Sequence, residues 1–338
     1  MLNLYRVSAF RCCTALALLC LLGGLRAGAQ DLFVARGNFG DIAEYTPGGT
    51  FVQQFVGAVM NDPHGMKFGP NGDLYVADYL NGAIKEFNGV TGAAVPSGTV
   101  TGLASLPADV AFNATGDMFV SAYSAGSVDR VSLSSHTVVQ TYSGISGAYG
   151  MIVLPNGHVL VCSYLANEVI DLDPVTGLTS VFGTNVAGPV ALTMGPDGRI
   201  YVVSNSGNRV DVIAATGGVA SVFATGVSSP GFDVFDNGNL YVTGGPGFEE
   251  FNGTTGALIN SFGTVDNNTF GIAVRNTEAP TETPEPGSLA LIAALTLAGV
   301  NTLLRYTRKQ YRAGLVASAG TAARGVQEML RLKTDRSN

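Results

Sequence analysis

The text GDLYVADYLNGAIKEF at residues 72–87 is rewritten along the chain. It returns as GDMFVSAYSAGSVDRV from Gly116, GHVLVCSYLANEVIDL from Gly157 and GRIYVVSNSGNRVDVI from Gly198. A shorter copy, GNLYVTGGPGFEEF, begins at Gly238, and a leading copy, DLFVARGNFGDIAEY, begins at Asp31. The five glycines are separated by 44, 41, 41 and 40 residues. A fixed period near 40 means one supersecondary unit copied many times, each unable to bury its apolar surface alone. Inside a copy the period is two: Leu74 and Val76 point one way, Tyr75 and Ala77 the other. That alternation marks a strand, and the Gly/Asn cluster that follows it marks a tight turn. Several short strands per 40-residue unit is the pattern of a propeller blade.

Each unit opens with a further apolar strand. These lie at residues 64–68, 108–112, 149–153, 190–194, 231–235 and 270–274. A turn such as Gly69-Pro70-Asn71-Gly72 or Gly195-Pro196-Asp197-Gly198 joins opening and second strands, because Pro and Gly preset its dihedrals. Third strands are predicted at 84–87, 169–172 and 210–213, and fourth strands at 51–56, 180–182, 220–223 and 258–262. The opening strands start at His64, whereas the second strands start at Asp31. The chain therefore enters one blade at its second strand and supplies that blade's first strand last, at 270–274. A blade shared by both ends closes the ring and removes exposed sheet edges. The predicted fold is an all-β six-bladed β-propeller with a mixed closing blade, over residues 30–276.

Residues outside the repeat read as sorting signals. Residues 1–29 form a secretory signal peptide, with Arg6 and Arg11 as basic region, 12–25 as apolar region and Ala27-Gly28-Ala29 as cleavage site. Cys12, Cys13 and Cys20 leave with it. Cys162, inside a strand, then stays alone as a small core residue, so no disulfide forms within the mature chain. Residues 277–287 are a Pro/Thr/Glu linker. Residues 288–304, SLALIAALTLAGVNTLL, are uncharged and long enough to span a thin bilayer as one transmembrane helix. Arg305, Arg308, Lys309 and Arg312 follow directly and orient that end inward, leaving the propeller outside. The tail 305–338 is basic and reads as cytoplasmic.

Charge limits the partners. Residues 31–276 hold 7 Lys/Arg against 20 Asp/Glu, a formal −13. Phosphate backbones need a basic face, so nucleic acid is excluded as a ligand.

The repeat resembles the NHL-repeat, gluconolactonase-like and streptogramin-lyase-like six-bladed propellers. The turn at 70–72 followed by Asp73-Leu74-Tyr75-Val76-Ala77-Asp78 carries that likeness over the whole repeat region. Pro284, Glu285 and Pro286, the short apolar span and the basic cluster together resemble the PEP-CTERM sorting signal of Gram-negative bacteria. That likeness implies an exosortase-like processing partner; the tail 313–338 departs from it, since the familiar signal stops soon after the basic cluster.

Candidate chemistry sits where opening strands begin or second strands end: His64, Asp78, Asp109, Asn205 and Asp233. Gluconolactonase-like propellers place Glu, Asn and Asp on a divalent cation there, and streptogramin lyases use His and Glu. The resemblance thus makes Ca²⁺ or another divalent cation the candidate cofactor, provided several oxygens converge. Against this, the positions equivalent to Asp78 hold Ser163, Ser204, Gly244 and Arg36, and those equivalent to His64 hold Ala108, Tyr149, Val190 and Phe270. Asp and Asn at such places also cap turns and strand ends. No Ser-His-Asp order, phosphate-binding Gly loop or Cys/His metal cluster is present. The expected function is an exported, exosortase-sorted surface or matrix propeller acting as a non-catalytic binding scaffold, facing polysaccharide or envelope proteins. The alternative is a secreted metal-dependent lactonase- or lyase-like enzyme.

Overall fold

In the computed structural model the structure describes residues 30–104, 106–263 and 268–275. The signal peptide, the linker, the span at 288–304 and the basic tail all lie outside those residues. No helix among the described residues is long and apolar enough to cross a membrane.

Six sheets form the six blades, antiparallel except where Gly183 and Thr184 pair in parallel with Gly218 and Val219. The innermost strands are Pro63–Phe68, Pro107–Phe112, Ala148–Val153, Pro189–Met194, Pro230–Asp236 and Thr269–Val274. Each packs on the next, and the last packs on the first, so the ring is closed. Closure comes from one blade made by both ends. Thr269–Val274 pairs with Leu32–Arg36, in the register Leu32 to Val274, Phe33 to Ala273 and Val34 to Ile272.

The alternation seen in the sequence explains the packing. All of Leu74–Asp78 is buried, because each sheet is covered on both faces by its neighbours. Leu74 and Val76 join the cluster holding Phe33, Phe55 and Met66 toward the preceding blade. Tyr75 and Ala77 join Val110, Met118 and Val120 toward the following blade. Each such aliphatic or aromatic side chain contributes roughly 1.5–3 kcal/mol by leaving water, so the core lies between blades and not inside one.

The repeated glycine has a conformational cause. Gly72, Gly116, Gly157, Gly198 and Gly238 all take φ between 77° and 88°, the left-handed position of the turn joining first and second strands. A second glycine requirement lies at the channel, where a Cβ on Gly271 would stand 2.1 Å from the His64 carbonyl oxygen. The closing strand can therefore seat against its neighbour only without a side chain there.

The 44-residue unit departs from the others. Its sheet has only three strands, Pro63–Phe68, Leu74–Asp78 and Ala83–Phe87. The fourth position is held by an irregular run that touches the sheet through bridges at Ala94 and Val100. Pro96, which lacks an N–H, and Ser97, at φ 64°, prevent a continuous strand between those bridges.

Candidate functional site

Two columns of the repeat meet where the central channel opens. The residue after each second strand is Tyr79, Tyr123, Tyr164, Asn205, Gly245 or Gly37. The second residue of each innermost strand is His64, Ala108, Tyr149, Val190, Gly231 or Phe270. Eight of these twelve residues line a cavity of about 270 Å³, walled by Tyr79, Tyr123, Tyr149, Tyr164 and Phe270, with Asn205, Val190 and Gly231 of the columns and Pro230 completing it. Tyr123 meets Tyr149 at 5.7 Å between ring centres and 80° between planes, and Tyr164 at 5.9 Å and 69°. Tyr149 and Tyr164 stand 6.2 Å apart at 38°. The tyrosines were not among the sequence candidates. Their signal was legible all the same: Tyr79, Tyr123 and Tyr164 occupy one repeat position in three successive units.

His64 backs this wall and is buried between two rings, 4.1 Å from Tyr79 and 4.2 Å from Phe270. Its Nε2 lies 3.2 Å from Asp62 Oδ2 and its Nδ1 3.0 Å from the Tyr149 hydroxyl. With Nε2 donating to the carboxylate, Nδ1 accepts from the tyrosine, and both ring nitrogens are spent. Burial pushes the Tyr149 hydroxyl well above the usual phenol range, and the neighbouring Tyr79 and Asp62 push it further. Tyr79 is raised mainly by burial too. The Tyr79 and Tyr149 hydroxyls are therefore neutral at physiological pH and do not act as bases.

The five residues predicted from the sequence fall in three places. His64 and Asn205 belong to the mouth; Asn205 opens a short 3-10 turn, Asn205–Gly207, and its side-chain nitrogen donates to the Pro230 carbonyl at 2.8 Å. Asp78 is fully buried and spent on structure. Its oxygens accept from the Asn61 backbone N–H at 2.7 Å and the Asn81 side chain at 2.8 Å, and its carboxylate pairs with Lys85 at 2.8 Å. The equivalent positions do similar work: Arg36 forks onto Asp41, Ser163 donates to the Ser146 carbonyl and Ser204 to Asp211. This column holds the turn between second and third strands.

Asp109 and Asp233 lie deeper, on innermost strands. Asp109 Oδ2 accepts the Met151 backbone N–H at 2.8 Å, while its Oδ1 and both Asp233 oxygens have no hydrogen-bond partner. Burial raises the Asp109 carboxyl to about 6, although Lys67 pulls it down. Burial raises Asp233 to about 7, with Lys67 again opposing and Asp109 adding repulsion. Both carboxylates thus feel the charge of Lys67. Among the described residues, no group of three or more His, Cys, Asp or Glu is placed to hold a metal ion. Cys162 is buried and free, and burial drives its thiol far above the ordinary range, so it is inert.

No family profile matches the chain, and no curated protein matches its sequence. Solved structures do match in fold. A chain of a nidogen/laminin complex aligns at TM-score 0.65 and 14% identity, over 74% of this chain and 100% of its own. A streptogramin B lyase aligns at TM-score 0.50 and 16% identity, over 63% of this chain and 72% of its own. A catalytically inactive virginiamycin B lyase from Staphylococcus aureus with quinupristin aligns at TM-score 0.50 and 14% identity, over 61% and 71%. These likenesses show the β-propeller fold alone. A fold shared by a laminin-complex protein and by lyases does not choose between binding and chemistry.

Proposed function

We propose that this chain is an exported surface or extracellular-matrix propeller, a non-catalytic binding module that takes its ligand at the tyrosine-walled channel mouth. The observation that carries the reading is the state of the polar groups there. Both nitrogens of His64 are engaged, the Tyr79 and Tyr149 hydroxyls are held neutral, and Asp78 is consumed by its turn. An aromatic cavity with a few oriented hydroxyls suits recognition. Delivery rests on the sequence: residues 1–29 export the ring, and 288–304 hold it at the inner membrane, outside the cytoplasm. An exosortase-like enzyme then acts near Pro284, Glu285 and Pro286, placing the ring among polysaccharide and envelope proteins. Two measurements test this. Fractionation is expected to find the ring outside the cytoplasm, first in the membrane and then at the surface; a cytoplasmic ring refutes delivery. Binding to isolated envelope or matrix material is expected to fall in Tyr123→Ala, and unchanged binding refutes the mouth as the ligand face.

The alternative, a metal-dependent lactonase- or lyase-like enzyme, would have to work through His64. Asp62, His64 and Tyr149 form a hydrogen-bonded chain that ends at the cavity. Turnover of a lactone or a streptogramin by the full chain, abolished in His64→Ala, is the result that replaces binding with catalysis.

A further inference from the structure

The charge and ring geometry of the mouth specify its ligand more narrowly. None of the side chains lining the cavity is charged. The charged group acting on Tyr79 and Tyr149 is Asp62, whose carboxylate lies on His64 and is only 23% exposed. Asp109 and Asp233 are offset by Lys67 and add little, but the repeat region as a whole carries a formal −13. The potential at the mouth is therefore negative, and an anion is repelled.

Ring orientation separates the two remaining classes, neutral sugars and organic cations. A sugar ring stacks on a flat aromatic platform. Here Tyr123 stands nearly perpendicular to both Tyr149 and Tyr164, and Tyr79 adds a further ring. The cavity thus presents rings in more than one orientation and no single flat platform. The electron-rich faces of such rings attract a positive charge, which a sugar lacks. At about 270 Å³ the cavity holds a headgroup, not an oligomer.

We propose that the channel mouth is an aromatic cage for an organic ammonium group of the choline or methylated-amine class, held by Tyr79, Tyr123, Tyr149 and Tyr164 with Asp62 as the nearby anion. The inference rests on the reading that the mouth is the ligand face. Asp62 sits at φ 61°, a conformation that Asn also tolerates, so its charge can be removed without changing the backbone.

Calorimetric titration of the full chain tests it, with choline, its uncharged isostere 3,3-dimethylbutan-1-ol, and glucose as probes. Choline is expected to bind about tenfold more tightly than the isostere. Tyr123→Phe is expected to retain choline, Tyr123→Leu to lose it, and Asp62→Asn to weaken choline while leaving the isostere unchanged. Thermal melts of each variant show that the ring is still folded. Equal affinity for choline and the isostere overturns the cage. Glucose binding that Tyr123→Leu abolishes, without choline binding, overturns the cage but keeps the mouth as the ligand face. If no probe binds and Tyr123→Ala leaves envelope binding intact, both readings fall.

Discussion

Replacing Asp233 by leucine is expected to stabilise the ring, and to do so more at pH 8 than at pH 5. The position is aliphatic in the other five blades, where Met66, Val110, Met151, Leu192 and Ile272 take the same place opposite a second-strand valine. Asp233 puts a carboxylate there, fully buried and with both oxygens unpartnered. Its folded-state value is about 7, against 3.8 for the free side chain. Because the folded carboxyl holds its proton more tightly than the unfolded one, stability is lost as pH rises from about 4 to 7. At pH 8 the full difference applies, about 4 kcal/mol, while at pH 5 the cost is roughly 2 kcal/mol. Asp233→Leu removes this term and adds apolar contact. For a ring of this size each kcal/mol moves Tm by roughly 2–4 °C, so the variant should melt about 10 °C higher at pH 8. Urea unfolding of parent and variant at pH 5, 6.5 and 8 reads the difference directly and cancels the titrating groups that are not coupled to Asp233, Asp109 being the coupled one. A variant that is less stable at pH 8, or a gain that does not change with pH, refutes the argument that Asp233 is an uncompensated buried acid.

Asp78→Ala removes acceptors from Asn61, Asn81 and Lys85 together; a loss of roughly 2–4 kcal/mol is expected by chemical denaturation, with ligand binding at the mouth unchanged once folded. Deleting residues 269–275 takes away the strand that pairs with Leu32–Arg36, and limited proteolysis is expected to degrade the opened ring quickly; a cooperative melt equal to the parent's contradicts the closure. Calcium at millimolar concentration is expected to shift Tm by less than 1 °C, since a saturated site contributes about 2.7 kcal/mol at a hundredfold excess over Kd and would raise Tm by several degrees.

Much of this architecture could be read in one dimension. The recurring glycine marks a left-handed turn residue, and the two-residue alternation names which side chains face which neighbouring blade, as Leu74 and Tyr75 do. The mismatch between opening strands from His64 and second strands from Asp31 is enough to specify the shared blade. Such features depend on local backbone geometry and on hydrogen bonding between adjacent strands, so they leave a period in the text. The site follows that period only in part. Tyr79, Tyr123 and Tyr164 form a column in the repeat, yet nothing along the chain says that this column surrounds a cavity together with Tyr149 and Phe270. Asp78, Asp109 and Asp233 look alike as aspartates near strand ends. Only the closed ring makes the first a turn cap and leaves the other two under Lys67 with oxygens unpartnered. The physical reason is that each blade fixes its own hydrogen bonds, whereas water access and the field at the channel are sums over blades brought together by the last strand.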